Sequence, residues 1–175
     1  MDKAIERWNW VRDLVNAEEK MEETGMVDMS VGYDNERYLV AESLNFLQQM
    51  KNEFIEASNA FNDLKHSPMG RIKIYGIAKT QADFMLFRNG FKMIFSLKSP
   101  GVISIRFNFL GPSQYMPSQI PTINSSAASS LMEEHLVEAK RGPFADLKWT
   151  FKGEPVSLQA AVKYHMTLFI KESAK

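Results

Sequence analysis

Residues 71–109 alternate between apolar and polar side chains in four short runs, and turn-forming residues separate these runs. Asn89-Gly90 follows the second run, and Ser99-Pro100-Gly101 follows the third. Asn-Gly accepts the positive φ angles of a type I′ turn and is therefore a strong signal for a β-hairpin. The pattern predicts an antiparallel meander, with strands near 71–78, 82–88, 91–98 and 102–109.

The loop lengths of this meander determine which side chains share a face of the sheet. A two-residue Asn-Gly loop pairs Arg88 with Phe91, and alternate residues of both strands then share a face because side chains alternate with a period of two. The apolar residues of the fourth strand join that face if residues 99–101 form a three-residue loop, or if a bulge is present and Gly101 is left-handed. The same alternation predicts that residues 79–81 form a three-residue loop between the first two strands. One face becomes almost entirely apolar, so we expect it to face the core.

The longest helix is predicted over 34–65. Val40, Leu47 and Phe54 belong to a series of apolar residues at alternating spacings of three and four, which is typical of one helix face. The apolar stripe is wider than a coiled-coil seam, which favours packing across a sheet. A helix of this length spans about 45–50 Å, more than the width of four strands at ~4.8 Å spacing, so we expect part of it to overhang the sheet.

The segments on either side complete the predicted elements. Apolar residues at helical spacing predict a helix over 3–23 within a helical segment, 1–65. Residues 111–130 are uncharged and rich in proline and serine, which predicts a long loop and a candidate lid. Two C-terminal helices are expected within 131–175. A capping box at Ser130 and Glu133 begins the first of them, Ser157 begins the second, and a fifth strand is a further possibility at 147–152.

Together these elements predict a single domain, 1–175, with an α+β fold. We expect an antiparallel four- to five-stranded meander sheet packed against a long helix, with an additional N-terminal helix and two C-terminal helices. The general build is similar to cystatin-like and helix-grip folds, and the layout also has something of the small secretion chaperones. Similarity at the level of the fold does not indicate a function.

Composition narrows the class of protein. The chain has no cysteine, which excludes disulfides and thiolate chemistry. No run reaches transmembrane length and the N-terminus lacks a signal-peptide core, so a soluble cytoplasmic protein is expected. The net charge is zero, but residues 1–64 are acidic and residues 65–112 are basic. This asymmetry indicates either a polyanionic partner or, as we prefer, acidic helices that neutralise a basic sheet.

Few residues are candidates for chemistry. His165 lies on the apolar stripe of the last helix, where it is either a functional imidazole or a core residue that bonds a backbone carbonyl. His135 and Glu138 offer too few ligands for a metal and are interpreted as a solvated helix face. Asp83 is either a general base or a strand-end charge. Because nucleophile and nucleotide-binding motifs are absent from the sequence, we expect no catalytic residues, cofactor or metal.

The favoured function is a non-catalytic binding module, expected to be dimeric, that engages a protein or peptide partner. It would use a sheet edge, the overhanging helix, or the second face of the sheet. Nucleic acid is a weaker candidate for that face, because a meander lacks the topology of RNA-recognition sheets. The residues predicted for the interaction surface on this face are Tyr75, Phe87, Lys92, Ile94 and Arg106.

The alternative function is a small apolar-ligand-binding domain. In this hypothesis a pocket lies between the long helix and the sheet, and the 111–130 loop closes it as a lid. If the pocket is enzymatic, His165 or Asp83 would serve as the base. The residues predicted to line it are Phe84, Phe95, Phe107, Tyr115 and His165.

Overall fold

A computed structural model describes residues 8–25, 35–77, 82–109, 133–144 and 146–174. Within these residues the chain forms three helices and one seven-stranded antiparallel sheet, which confirms the predicted α+β class. The helices are α1 (Asn9–Thr24), α2 (Asn35–Leu64) and α3 (Leu158–Ser173). The strands are β1 (Lys73–Gly76), β2 (Phe84–Arg88), β3 (Phe91–Ser99), β4 (Val102–Phe109), β5 (His135–Arg141), β6 (Leu147–Phe151) and β7 (Glu154–Pro155).

The sheet is a meander in which each strand pairs with the next along the chain. Its β2–β3 register is the predicted one, with Arg88 opposite Phe91. Asn89 and Gly90 have φ angles of 49° and 78°, as a turn with two left-handed residues requires. The turn chemistry of two residues therefore fixes the face on which every β2 and β3 side chain lies.

The β3–β4 connection keeps the same parity by means of a bulge. Ser99 lies opposite Val102, whereas Leu97 lies opposite Ile103, so the register shifts by one residue between Leu97 and Ser99. Gly101 has a φ angle of 78°. Of the two predicted alternatives, the bulge with a left-handed Gly101 is present rather than a three-residue loop. Phe95 and Phe107 consequently lie on the same face of the sheet.

The predicted strand count and C-terminal helices are wrong in detail. Residues 135–141 form strand β5 and not the first of two C-terminal helices. The capping-box pattern was outweighed by pairing, because the alternating His135 and Val137 lie opposite Ile105 and Ile103 of β4 and complete its apolar face. A left-handed Lys152-Gly153 turn then adds β7 after β6, which raises the number of strands to seven.

The chain divides into two compact units, residues 1–39 and 40–175. In the first unit, α1 exposes Trp8, Trp10 and Leu14 and ends at the left-handed Gly25. The second unit contains the sheet, α3 and most of α2. Both of these helices pack on the apolar face of the sheet: Phe54 of α2 lies 4.8 Å from Phe95, measured between ring centroids, and α3 packs its apolar side chains against β3.

A buried arginine attaches the end of α3 to the β2–β3 turn. Arg88 is 5% exposed, and its Nε donates to the carbonyl oxygen of Gly70 at 2.7 Å. Its Nη1 donates to Ser173 Oγ at 3.0 Å and to the Ile170 carbonyl at 3.2 Å. These acceptors lie at the C-terminus of α3, where the helix dipole favours a cation. The guanidinium group also lies over the Phe61 ring, so this buried charge is well compensated.

Candidate functional site

Strand β1 forms one edge of the sheet. Alternate residues of β1 bond the neighbouring strand, and the residues between them point their backbone N–H and C=O groups away from the sheet. Ile77 N–H donates to the Asp83 carbonyl at 2.9 Å, just beyond the strand. In an antiparallel ladder alternate residues bond the same neighbour, so Tyr75 and Lys73 also bond β2. The N–H and C=O groups of Ile74 and Gly76 must therefore point outward from the open edge.

The next outward-pointing residue, Ile72, is capped by a side chain from α2. The amide nitrogen of Asn62 donates to the Ile72 carbonyl at 2.9 Å, and Asn62 Oδ1 accepts from the Ile72 N–H at 2.8 Å. The side-chain amide thus bonds Ile72 in the way that a residue of a neighbouring strand would. These two hydrogen bonds confirm that the Ile72 backbone points outward from the edge. Along β1, the outward backbone groups of Ile74 and Gly76 are left open.

A groove of about 330 Å³ runs between α2 and this edge. Asn62 beside Ile72 and Lys51 beside Gly76 show that α2 runs antiparallel to β1 along the groove. The open backbone groups of β1 lie along this groove. The residues that line it are Lys51, Ile55, Ser58, Asn59, Ile72, Ile74 and Gly76.

Ser58 contributes an unsatisfied polar group to the groove. Its side chain is 2% exposed, and its Oγ has no hydrogen-bond partner. A buried hydroxyl without a partner costs roughly 1–3 kcal/mol, and such groups are uncommon in folded proteins. A ligand would form the missing bond only if it displaced the side chains that cover this oxygen.

Gly76 leaves space on the groove side of the strand. It lies opposite Phe84, so a side chain at this position would point toward the helices. A Cβ built there would be 3.9 Å from Lys51 Nζ, an ordinary van der Waals contact, and the φ angle is not left-handed. The fold therefore does not require glycine here. Glycine within a strand often marks the close approach of another backbone.

The second feature of interest is a buried histidine pair between β5 and α3. His135 Nδ1 lies 3.1 Å from His165 Nε2, and His165 Nδ1 lies 2.8 Å from the Ala161 carbonyl. A carbonyl only accepts hydrogen bonds, so His165 Nδ1 is the donor. The Nε2 atom of a neutral His165 then accepts a hydrogen bond from His135 Nδ1.

Aromatic side chains enclose this pair. The Tyr164 and Phe151 rings lie 5.0 and 5.5 Å from the His165 ring, and the Phe107 ring lies 5.0 Å from that of His135, measured between centroids. Burial lowers the pKa of His165 to about 4, because the apolar surroundings disfavour its charged form. At neutral pH His165 is therefore uncharged, and its hydrogen bond with His135 joins β5 to α3.

His135 was misassigned in the sequence interpretation. Its expected position on a solvated helix face is wrong, because it lies on a strand and is only 3% exposed. The spacing of two between His135, Val137 and Ala139 was the available signal, although Leu136 between them is also apolar. The histidine partner itself lies 30 residues away, so no local pattern indicated it.

The residues predicted for an apolar-ligand pocket lie in different environments. Phe84 and Phe95 are completely buried and stack on each other with ring centroids 4.5 Å apart. Phe107 is partly buried and contacts His135. Tyr115 and the 111–130 loop lie outside the described residues. The predicted lid therefore stays a prediction.

The five residues predicted for the interaction surface lie on the face of the sheet opposite α2 and α3, by strand alternation. Tyr75 and Arg106 are exposed, and Phe87, Lys92 and Ile94 are half-buried. On the same face Glu134 pairs with Lys98 at 2.6 Å and accepts a hydrogen bond from Ser104. These contacts lower the pKa of Glu134.

Asp83 was a candidate general base. Its Oδ1 accepts a hydrogen bond from the Leu97 N–H at 3.1 Å, next to the β3 bulge, and its side chain is buried. A bulge disrupts the ladder locally and leaves backbone groups in need of partners. The observed contact is therefore with the backbone at this irregularity.

Comparison of the chain with known protein families, with curated proteins and with solved structures gave no significant match. The described helices include none with the length and apolar character needed to cross a lipid bilayer. In the same part of the chain, no three His, Cys, Asp or Glu side chains are grouped as a metal site would require.

Proposed function

We propose that the protein is a binding module that captures an extended segment of a protein partner along the open edge of β1. The segment would pair with the outward backbone groups of Ile74 and Gly76 and become an additional strand. This mode of recognition, β-strand addition, draws affinity from main-chain hydrogen bonds and specificity from the pockets beside the strand. The observation that carries the proposal is the open β1 edge beside the groove, with the unsatisfied Ser58 hydroxyl inside it.

The groove has the composition that such recognition requires. Ile55 and Ile74 offer apolar surface, Ser58 offers a hydrogen bond, and Lys51 supplies a charge. Up to four backbone hydrogen bonds at Ile74 and Gly76 would contribute about 1 kcal/mol each. Because association itself costs several kcal/mol, apolar contacts with Ile55 and Ile74 must add to these bonds, and we expect weak binding.

The groove supports binding more than catalysis. Its polar groups are backbone amides, the Asn59 amide, a hydroxyl and an ammonium group. Ser58 Oγ has no hydrogen-bond partner, so no base lies in position to activate it as a nucleophile. Lys51 is partly exposed, and its role in the groove is that of a charge.

The apolar-ligand alternative requires more rearrangement. A ligand between Phe84 and Phe95 would have to separate two rings that are completely buried against each other. Opening a packed core in this way costs several kcal/mol. The β1 groove is already open to a ligand, so it is the better-supported site.

A displayed library of random peptides of about ten residues tests the proposal. Selection on the full chain should yield peptides that bind the wild type and are lost with Gly76→Pro. Proline removes an outward N–H without touching the β1–β2 ladder, and edge strands tolerate it at such positions. Gly76→Ala keeps the N–H and is the matched control, so it should retain binding.

Two results would refute the proposal. One is a failure to select any peptide that distinguishes wild type from Gly76→Pro. The other is light scattering that shows a β1-dependent dimer, because a second copy would then occupy the edge. The circular dichroism spectrum and melting temperature of both variants establish that each is folded.

A further inference from the structure

We infer that the segment bound along β1 carries an acidic side chain, Asp or Glu, which pairs with the Lys51 ammonium group at the Gly76 end of the groove. This inference rests on the proposed function, since it assigns the chemistry of the segment that β1 would bind. Three observations support it: the charge of Lys51, its position beside the strand edge, and the closure of that edge at Ile72 by the Asn62 side chain.

Lys51 lies over the Gly76 end of the β1 edge. It lines the groove, and its Nζ is 3.9 Å from the point that a Cβ on Gly76 would occupy. No ion pair joins Lys51 to any acid within the described residues. Its neighbours one turn away on α2 are not acidic either; they are Leu47, Gln48, Phe54 and Ile55.

The other charges around the groove do not neutralise Lys51. Glu53 lies on another side of α2, where it lines a separate groove between α2 and α3. Lys73 is the charged residue of β1, and alternation places it on the opposite face of the sheet. Among the described residues that line the groove, Lys51 is the only charged one. An apolar site with one uncompensated cation favours a ligand that carries one carboxylate at the matching position.

The closed end of the edge indicates which kind of carboxylate fits. At Ile72 the Asn62 amide already occupies the outward backbone groups, so an added strand must end or turn away there. At the other end Ile77, one residue beyond Gly76, still pairs with the neighbouring strand. We expect the bound segment to extend past Lys51 in that direction. Lys51 would then meet the middle of the segment. The carboxylate therefore belongs to a side chain rather than to a C-terminus.

The same peptide library tests the inference, with random peptides held between constant flanking linkers. Peptides selected by the wild type should share one position enriched in Asp or Glu. Selection with Lys51→Glu should enrich Lys or Arg at that position. Lys51→Met should bind the wild-type-selected peptides about 5- to 50-fold more weakly, as expected for loss of a partly buried charge pair. Lys73→Glu, a charge reversal on the other face, is the matched control and should leave the selection unchanged.

The outcomes separate the inference from the proposed function. Selected peptides that depend on the Gly76 N–H but share no acidic position would overturn the inference and leave edge binding intact. The same holds if selection with Lys51→Glu still enriches the acidic residue. Peptides that bind only through a free C-terminal carboxylate, and are lost on amidation, would also overturn it. If the wild type retains no peptide better than Gly76→Pro does, edge binding itself fails and the inference fails with it.

Discussion

The two edges of the sheet differ in how far they are protected. Strand β7 has only two residues, and one of them is Pro155. Val156 N–H donates to the Trp149 carbonyl, so alternation places Pro155 at an outward position of the edge. Strand β1 has four residues, and its outward positions are Ile74 and Gly76. Short strands and proline are common protections against edge pairing. One edge is therefore blocked by its own sequence, whereas the other is open beside a groove.

The buried polar groups near the two edges also differ, in whether they have hydrogen-bond partners. Toward β7, the His135–His165 pair satisfies its own hydrogen bonds within a shell of aromatic rings. Toward β1, Ser58 is equally buried and has no partner. Arg88, which is far more costly to bury, donates hydrogen bonds to oxygens of Gly70, Ile170 and Ser173. Within the part of the chain that the structure describes, the Ser58 hydroxyl is the one buried side-chain polar atom without a hydrogen-bond partner, and this is the main reason to place a ligand at the groove.

The largest expected effect is the pH dependence of stability that the His135–His165 pair produces. The pKa of His165 in the folded protein is about 4, below its ordinary value of 6.5. The unfolded chain therefore binds more protons between these pH values, so the free energy of unfolding should fall as the pH decreases from 6.5 toward 4. The expected loss from this one group is about 3 kcal/mol. Urea denaturation across this pH range measures it.

Variants assign this pH effect to the pair. His165→Gln stays neutral at every pH and should therefore reduce the pH dependence. His135 and Tyr164 are the titratable groups that face His165, so His135→Gln should also change the dependence. An unchanged dependence in His165→Gln would contradict the assigned role of the pair.

The second effect concerns the closure of β1 at Ile72. Asn62→Ala removes both hydrogen bonds to the Ile72 backbone and should lower the free energy of unfolding by about 2 kcal/mol. Asn59→Ala, at an exposed residue that lines the same groove, is the control and should change stability by less than about 0.5 kcal/mol. Equal effects from the two variants would show that the Asn62 cap does not stabilise the edge.

The third effect separates stability from binding. Ser58→Ala removes a buried hydroxyl that has no partner, so it should raise the free energy of unfolding by about 1 kcal/mol. The same change should weaken peptide binding at the groove, because a ligand loses a hydrogen-bond partner. Thermal melting and a binding titration on the same preparation measure both quantities. A loss of stability would indicate that Ser58 is satisfied in solution.

The smallest effect is expected at the protected edge. Pro155→Ala restores an outward N–H on β7 and should change stability by no more than about 0.5 kcal/mol, since no ladder bond is gained or lost. It should also leave peptide binding unchanged, because the strand has only two residues and no groove beside it has been identified. New peptide binding or dimer formation by Pro155→Ala would show that sequence alone, without a groove, decides which edge is used.

Local turn chemistry made part of this structure predictable. The Asn89-Gly90 turn gave the β2–β3 register, and the parity argument required the bulge that Gly101 accompanies. Strand β5 was missed because a capping-box pattern at Glu133 is local, whereas the pairing of Val137 with Ile103 depends on residues far away in the sequence. Sequence patterns describe single elements well and contacts between distant elements poorly.

The groove could be anticipated only in outline. A sheet edge was among the predicted interaction surfaces, but its open positions depend on which residues of β1 bond β2 and on where α2 lies. Asn62 and Ser58 are separated by one helical turn and look like ordinary polar residues of a long helix. One of them proved to be a strand mimic and the other an unsatisfied hydroxyl, and only the packed structure distinguishes them.

Amide hydrogen exchange along β1, measured residue by residue in the free protein, tests the central claim most directly. Lys73, Tyr75 and Ile77 should exchange slowly because their N–H groups bond β2, and Ile72 should be slow because Asn62 accepts its N–H. Ile74 and Gly76 should exchange rapidly, since their N–H groups point outward. If Ile74 and Gly76 are as protected as Tyr75, the edge is already occupied and the proposed binding site does not exist.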